Sequence, residues 1–499
     1  MITNSGRSKV VAERSPIKVS TIFGVLFGIL LLVTAVSLIR FGPHYSPDTI
    51  HYFRIARGNP ESLQYLSPLY PFFISLSDFL PLSGFDMAFL VVILGYIIGF
   101  VIIYLISKKI YTLPSNILFY SMGISLMSWW SFRVMGSAHA DALFYLLIIV
   151  WLYQFLLGDK KNHSYFWSLG LLSAFFPWVQ LNSLFLIFFL TIWVILNKDK
   201  RWLIVLGCLL VSFACYQIVV PKNILLEHLL EGINTNPISS SALLLLYQNL
   251  ATWFKVVIGI IFSDHISHYI PNIIGFMGSL GLLGAKIYLL TKGKNRIGKP
   301  TYALLLFAAS YGFVFLTFQQ WIGFEEIGFR TLFPYLLAVS WAFWIEMNVR
   351  GKLVIQFLVC LFIVSHTLMG HFYHWQKEDD MASLLEVQEF INSPASEAVG
   401  DVLIKSPYEI LTDQPEKMGL AFLEIPIAHV GPEIQLVNGE NLLLSPEEKA
   451  LWIKQSEEAL ITGHAILILF QKSKYWESFS QNENLYLEER HGIWMIYQP

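Results

Sequence analysis

The sequence predicts a mainly α-helical, polytopic membrane protein of about eleven transmembrane helices, with a C-terminal extracytoplasmic α/β domain. Three observations predict it. The 499 residues are 55% hydrophobic and only 14% charged, with a mean hydropathy of +0.57, which excludes an ordinary soluble globule. Basic residues cluster after alternate apolar runs. The formal net charge of −2 also hides an asymmetry: from Gln376 onward there are 21 acidic and 8 basic side chains, −13 in all, which leaves +11 for the rest. Cys208, Cys215 and Cys360 lie in apolar runs and imply neither a disulfide framework nor a thiolate metal site.

Apolar windows of roughly 17–22 residues place the spans. The first, 19–39, is too long for a signal-peptide core, and no small-residue cleavage site follows it, so it is read as a retained helix. The others are 84–106, 114–131, 139–157, 164–180, 182–197, 202–220, 270–291, 301–320, 331–347 and 352–372. Phe176-Pro177-Trp178 interrupts this series, as two short helices or one bent helix. Arg7, Lys9, Arg14 and Lys18 precede the first span. Lys108 and Lys109, Lys160 and Lys161, the Lys198-to-Arg201 group, the Lys292-to-Lys299 group, and Arg350 with Lys352 follow the second, fourth, sixth, eighth and tenth. All fall on one side, which the positive-inside rule makes the cytoplasm; the expected location is a multi-pass plasma (inner) membrane protein. Residues 1–375 then form a transmembrane domain with outer loops at 40–83 and 221–269, and 376–499 form an acidic extracytoplasmic domain.

Leu66 to Leu82 and Leu243 to Phe262 read as helices lying on the membrane surface. In the tail, Met381 to Ile391 and Pro446 to Leu460 read as helices. Ala398 to Ile404, Ala465 to Phe470 and Gly492 to Tyr497 read as strands.

Polar side chains gather at the outer side: His44, Asp48, His51, Tyr52, Arg54, Arg57, Arg133, His139, Asp141, Asp264, His265, His268, Glu325, Glu326 and Arg330. There is no P-loop, and no ATP is available on that side, so group transfer there needs an activated donor delivered in the membrane. Asp48, just past the first span, is a general base for an acceptor hydroxyl or the N-cap of a helix opening at Pro47. His139 and Asp141 stand where the fourth span begins, beside Arg133; Asp141 binds a metal or helps hold a donor phosphate through one, or is an acid near the positive end of a helix N-terminus. Asp264, His265 and His268 form D-H-x-x-H, a divalent-metal pattern or an interfacial turn before Pro271. Glu325, Glu326 and Arg330 occupy a short outer loop; Arg330 suits bidentate phosphate binding or interfacial anchoring.

These elements resemble the GT-C superfamily of polyprenyl-phosphate-sugar-dependent glycosyltransferases, in particular the bacterial branch similar to protein O-mannosyltransferases and lipid A aminoarabinose transferases. Asp48 with Tyr52 and Ala56 matches the family's first-loop acid, and Ser67-Pro68-Leu69-Tyr70-Pro71 resembles its "PPLYP" segment. Ala140-Asp141-Ala142-Leu143-Phe144 matches an acid opening the fourth helix, and Arg330-Thr-Leu-Phe-Pro334 resembles the late "RYxxP" element. In the tail, Lys405 to Thr412 and Ile425-Pro426 look like the α/β domain some members carry. The chain departs from the family at Thr49, where a second acid often stands, and at Thr331, where the family has Tyr.

The resemblance implies an inverting sugar transfer, with Asp48 as the base and Arg330 and Arg54 on the donor phosphate. His44, Tyr52, Tyr70, His139, Asp141, Glu325 and Glu326 would line the site, and Asp141, His265 and His268 would hold any divalent metal. The implied partners are the bilayer, a polyprenyl-phosphate-linked sugar, and an acceptor glycan, lipid or protein; no nucleic-acid partner is expected. A lipid-linked sugar flippase is a second reading, disfavoured because the charges sit at the rim rather than at mid-membrane depth. A catalytically inactive scaffold is a third, kept open by Thr49.

Overall fold

A computed structural model of the chain describes residues 16–44, 47–56, 67–80, 82–110, 115–180, 183–220, 240–261, 269–281, 298–322, 329–377, 409–412, 435–438, 454, 457–458, 460–461, 465–469, 482, 484–490 and 493–497. The helices are α1 (Pro16–Phe41), α2 (Pro47–Ala56), α3 (Leu69–Ser75), α4 (Gly84–Ile110), α5 (Ser115–Leu126), α6 (Trp129–Met135), α7 (Ala140–Leu157) and α8 (His163–Ala174). They continue as α9 (Phe176–Val179), α10 (Leu184–Asn197), α11 (Trp202–Val219), α12 (Ser240–Ile261), α13 (Asn272–Gly281), α14 (Lys299–Ile322), α15 (Phe329–Val349) and α16 (Leu353–Lys377).

Among the described residues, six helices are long and apolar enough to cross a membrane: Val19–Phe41, Gly84–Lys109, Ala140–Leu157, Trp202–Val219, Thr331–Val349 and Leu353–Trp375. The chain is an integral membrane protein. Asn116–Leu126, Leu184–Asn197 and Asn272–Gly281 are shorter apolar helices. The window 114–131 is not one helix. It breaks at Met127 and Ser128, where the Ser128 hydroxyl accepts the Ser131 amide at 3.4 Å and starts α6. The window 164–180 also divides: α8 ends at Ala174, and Pro177 sits in the first turn of the one-turn helix α9.

The chain forms two compact units, Met1–Ser37 with Leu63–Leu69 and Leu90–His374, and Leu38–Ser62 with Tyr70–Phe89 and Trp375–Pro499. In the first, indoles join helices through serine hydroxyls: buried Trp151 Nε1 donates to Ser173 at 2.8 Å, half-buried Trp178 to Ser212 at 3.0 Å and buried Trp344 to Ser125 at 2.6 Å. The Ser37 hydroxyl lies 2.7 Å from His371 Nδ1 and ties α1 to α16. Phe185 meets Tyr311 edge-on at 4.4 Å between α10 and α14. Helix α13 approaches α12 through Gly275, where a Cβ would stand 2.7 Å from the Ala251 carbonyl oxygen.

In the second unit, α1 ends at a left-handed Gly42 with φ 69°, whose amide donates to the Leu38 carbonyl at 3.0 Å. Helix α4 starts with a reciprocal cap: the Ser83 amide donates to Asp86 Oδ2 at 2.9 Å, and the Asp86 amide to the Ser83 hydroxyl at 3.1 Å. The segment read as surface-lying carries α3 and exposes Phe72 and Phe79. The tail strands β1 (Glu409–Thr412), β2 (Gln435–Asn438), β3 (Ala465–Leu469), β4 (Tyr486–Arg490) and β5 (Ile493–Tyr497) form one sheet in the order β2-β1-β3-β5-β4. Strand β1 runs parallel to β2 and β3, with Leu411 opposite Val437 and Leu467; β5 runs antiparallel to β3 and β4. The strands predicted at 465–470 and 492–497 correspond to β3 and β5, whereas the helix at 381–391 and the strand at 398–404 lie outside the described residues.

Because the neighbour of Gly275 is backbone rather than a flexible side chain, Gly275→Ala is expected to destabilise the protein by about 1–3 kcal/mol. The measurement is the melting temperature in detergent; an unchanged value would mean that α12 and α13 do not meet there.

Candidate functional site

In the second unit, Pro47 takes the first position of α2, a role that suits its fixed φ and missing amide hydrogen, and Asp48 takes the second. Asp48 is therefore a first-turn residue rather than the N-cap. Thr49, Tyr52 and Phe53 form the buried stripe of α2 at helical spacing, each under 5% exposed. Tyr52 meets Tyr70 of α3 edge-on at 5.2 Å, and Phe53 packs on Phe85 at 5.4 Å. Thus the acid-bearing helix is joined to the Tyr70-Pro71 part of the second motif. Arg54 lies on α2 with its side chain, like that of Asp48, outside the described residues, and His44 is half-buried ahead of the helix.

In the first unit, His139 and Asp141 are 4% and 1% exposed. His139 caps α7, and its Nδ1 lies 3.2 Å from both the Asp141 amide nitrogen and carboxylate Oδ2. One ring nitrogen serves one of these. As an acceptor from the amide, Nδ1 caps the helix and the ring proton sits on Nε2; as a donor in the imidazolium, it turns to the carboxylate and gives up the cap. The Asp141 carboxylate Oδ1 accepts from Gln180 Nε2 at 2.8 Å, and the first turn of α7 supplies positive potential.

Gln180 follows directly on α9, so the proline-bearing break in the fifth window delivers the amide to the acid. Sequence reasoning missed Gln180. Its signal was a polar residue ending Phe176-Pro177-Trp178-Val179-Gln180 inside an apolar window.

A second polar group was also missed. His366, Thr367, His371 and His374 of α16 face the aromatic helix α6. The Trp129 amide donates to Thr367 Oγ1 at 3.1 Å. The His371 ring lies 5.2 Å from Trp129 and 4.5 Å from Phe132, and His374 lies 5.8 Å from Trp129. The Arg133 guanidinium covers Trp130 at 5.9 Å, and His366 stacks on Trp130 at 6.0 Å. Ionisable residues within a span are a functional pointer, but His366 and His371 fall in the window 352–372, which reads as apolar, and His374 lies just past it.

Arg330 is the second residue of α15, with its side chain outside the described residues. Asp264, His265, His268, Glu325 and Glu326 lie outside them entirely. Among the described residues, no three His, Cys, Asp or Glu side chains gather as metal ligands.

Gln180→Ala is expected to cost about 1.5–3 kcal/mol, the range for a hydrogen bond to a charged group. Gln180→Glu, which sets a second carboxylate against a buried one, should cost more. Thermal unfolding of the purified variants checks the order; equal melting of all three proteins would separate Gln180 from Asp141.

No family model and no curated protein matches this chain. Among solved structures, it is similar to ArnT from Cupriavidus metallidurans in the apo state, at 11% identity and a TM-score of 0.48 over 96% of this chain and 98% of that one. It is similar to the same protein bound to undecaprenyl phosphate, at 12% identity and a TM-score of 0.45 over 95% and 98%. A third likeness is to the mycobacterial arabinofuranosyltransferase AftD, at 12% identity and a TM-score of 0.43 over 96% of this chain and 40% of that one.

Proposed function

We propose that the chain is a membrane glycosyltransferase that moves a sugar from a polyprenyl-phosphate donor to an acceptor hydroxyl on the extracytoplasmic side. The observation that carries this reading is the Tyr52–Tyr70 contact, which joins the Asp48 helix to the Tyr-Pro segment about twenty residues on. The first of the motifs in the GT-C resemblance is thereby packed against the Tyr70-Pro71 part of the second. In this reading residues 1–375 carry the transfer, and 376–499 form an acidic extracytoplasmic domain.

The proposed reaction is a displacement at the anomeric carbon. The Asp48 carboxylate takes the proton of the acceptor hydroxyl. The acceptor oxygen attacks the anomeric carbon from the face opposite the phosphate, forming the new C–O bond. The bond to the phosphate oxygen breaks, its electron pair leaves with the lipid phosphate, and the configuration inverts. Guanidinium groups of Arg330 and Arg54 offset the charge that grows on the leaving phosphate. Asp141 accepts from the Gln180 amide N–H at Oδ1, and the other candidate metal ligands, His265 and His268, lie outside the described residues. The proposed steps use the acid and the guanidinium groups.

General-base help contributes roughly 10²–10⁴ in rate. Asp48→Asn is accordingly expected to cut transfer from a radiolabelled polyprenyl phosphate sugar by that factor while membrane expression persists. Near-wild-type transfer would overturn the assignment, and movement of label across vesicles without transfer would replace it with translocation.

Arg330→Ala is expected to raise the KM for the donor. An unchanged KM and kcat would take Arg330 out of the site.

A further inference from the structure

Helices α15 and α16 meet α5 along a run of polar contacts that stops one turn short. The Trp344 indole donates to the Ser125 hydroxyl at 2.6 Å, and the Cys360 thiol to the Ser121 hydroxyl at 3.7 Å. Ser121 and Ser125 share one face of α5, so both helices pack on that face. Asn348 follows Trp344 by four residues, and Gln356 precedes Cys360 by four. Helical spacing keeps each amide on the side of its helix that makes the neighbouring contact. The Ser121–Cys360 and Trp129–Thr367 contacts set α16 parallel to α5. Gln356 therefore stands level with the first turn of α5, where Ile117 and Leu118 are buried and apolar.

A tight bend brings Asn348 to the same depth. Gly351 takes a φ of 67°, its amide donates to the Asn348 carbonyl at 3.2 Å, and the Lys352 amide donates to the Met347 carbonyl at 3.0 Å. The Gln356 amide donates to the Lys352 carbonyl at 3.1 Å, so α16 begins at once. Both side chains thus lie within about a turn of the bend, on adjoining helices. Each is 0% exposed. Among the described residues, neither Asn348 Oδ1 and Nδ2 nor Gln356 Oε1 and Nε2 has a hydrogen-bond partner. The nearest polar side chains are engaged: Ser125 and Ser121 as above, and Glu346 with Arg350 Nε at 2.6 Å. Two whole amides buried in this way are costly unless something else bonds to them.

We propose that Asn348 and Gln356 bind a small cluster of ordered water beside the first turn of α5. The chemistry of the four atoms selects the ligand. Each amide offers both donors and acceptors. A cation would serve the two carbonyl oxygens and leave both NH₂ groups open, and Arg350 and Lys352 in the adjoining bend oppose its charge. An anion would serve the NH₂ groups and leave both oxygens open. Water donates and accepts, and about two molecules, at about three hydrogen bonds each, satisfy all four atoms. The water lets two polar side chains sit inside a helical hairpin without disturbing the contacts at Trp344 and Cys360. The site does not depend on the glycosyltransferase reading.

The test uses the full chain in detergent. X-ray radiolysis turns bound water into hydroxyl radicals that oxidise the side chains next to it, and mass spectrometry reads the products. Cys360, buried and one turn from Gln356, is the reporter. It is expected to be oxidised in the wild-type protein despite its burial. Most of that product should disappear when Asn348→Leu and Gln356→Met are combined, while oxidation of buried Met135 on α6 stays as it was. Equal Cys360 oxidation in the wild type and the double variant overturns the proposal, as does none in the wild type. A high-resolution experimental structure of the wild type tests it without any substitution: water density within hydrogen-bond distance of both amides supports it, and a direct Asn348–Gln356 pair with no water refutes it. Replacing sodium and potassium by choline should leave the melting temperature unchanged; a fall would assign a cation and overturn the water.

Discussion

Hydrocarbon supplies no hydrogen bonds, so a chain that crosses it must satisfy its own backbone. That requirement makes long helices the default and every interruption costly. The interruptions described here each come with local compensation. Ser128 caps α6, His139 caps α7 and Asn162 caps α8, each accepting an amide that the helix start would leave open. Indole N–H groups within the bundle find serine hydroxyls on neighbouring helices for the same reason.

Polar function concentrates where the helices are broken. Asp141 can be buried because it opens a helix and because Gln180 reaches it from a second break. The two irregularities depend on each other: without the turn at Phe175 to Val179, Gln180 would lie elsewhere along a continuous helix, and the carboxylate would lose a donor. A buried acid with one partner removed is a large perturbation in a medium that cannot replace it.

Aromatic surface does much of the remaining work. Trp129 and Phe132 receive the histidines of α16, while Phe155 and Trp193 lie beneath the Lys160 ammonium. In each case a flat, rigid ring lets an ionisable group approach apolar packing while keeping some electrostatic compensation. The Tyr52–Tyr70 contact serves a different purpose, since it fixes the first-loop helix against α3.

By itself the sequence determined the membrane class and the positions of the apolar segments, because length and hydropathy answer to the thickness of the bilayer. It also marked the helix starts at Pro47 and Ala140, whose capping and proline signals are local, and two of the tail strands. Only the tertiary structure decided which polar residues meet. Gln180 and Asp141 are 39 residues apart, Ser37 and His371 are 334 apart, and neither pair has a local signature. The breaks at Ser128 and Phe175 belong to the same class: periodicity and composition continue through them, and only the capping hydroxyl and the packing of α9 show that the helix stops. Local chemistry is written in neighbouring residues, whereas a hydrogen bond between distant helices exists only once packing has brought its ends together.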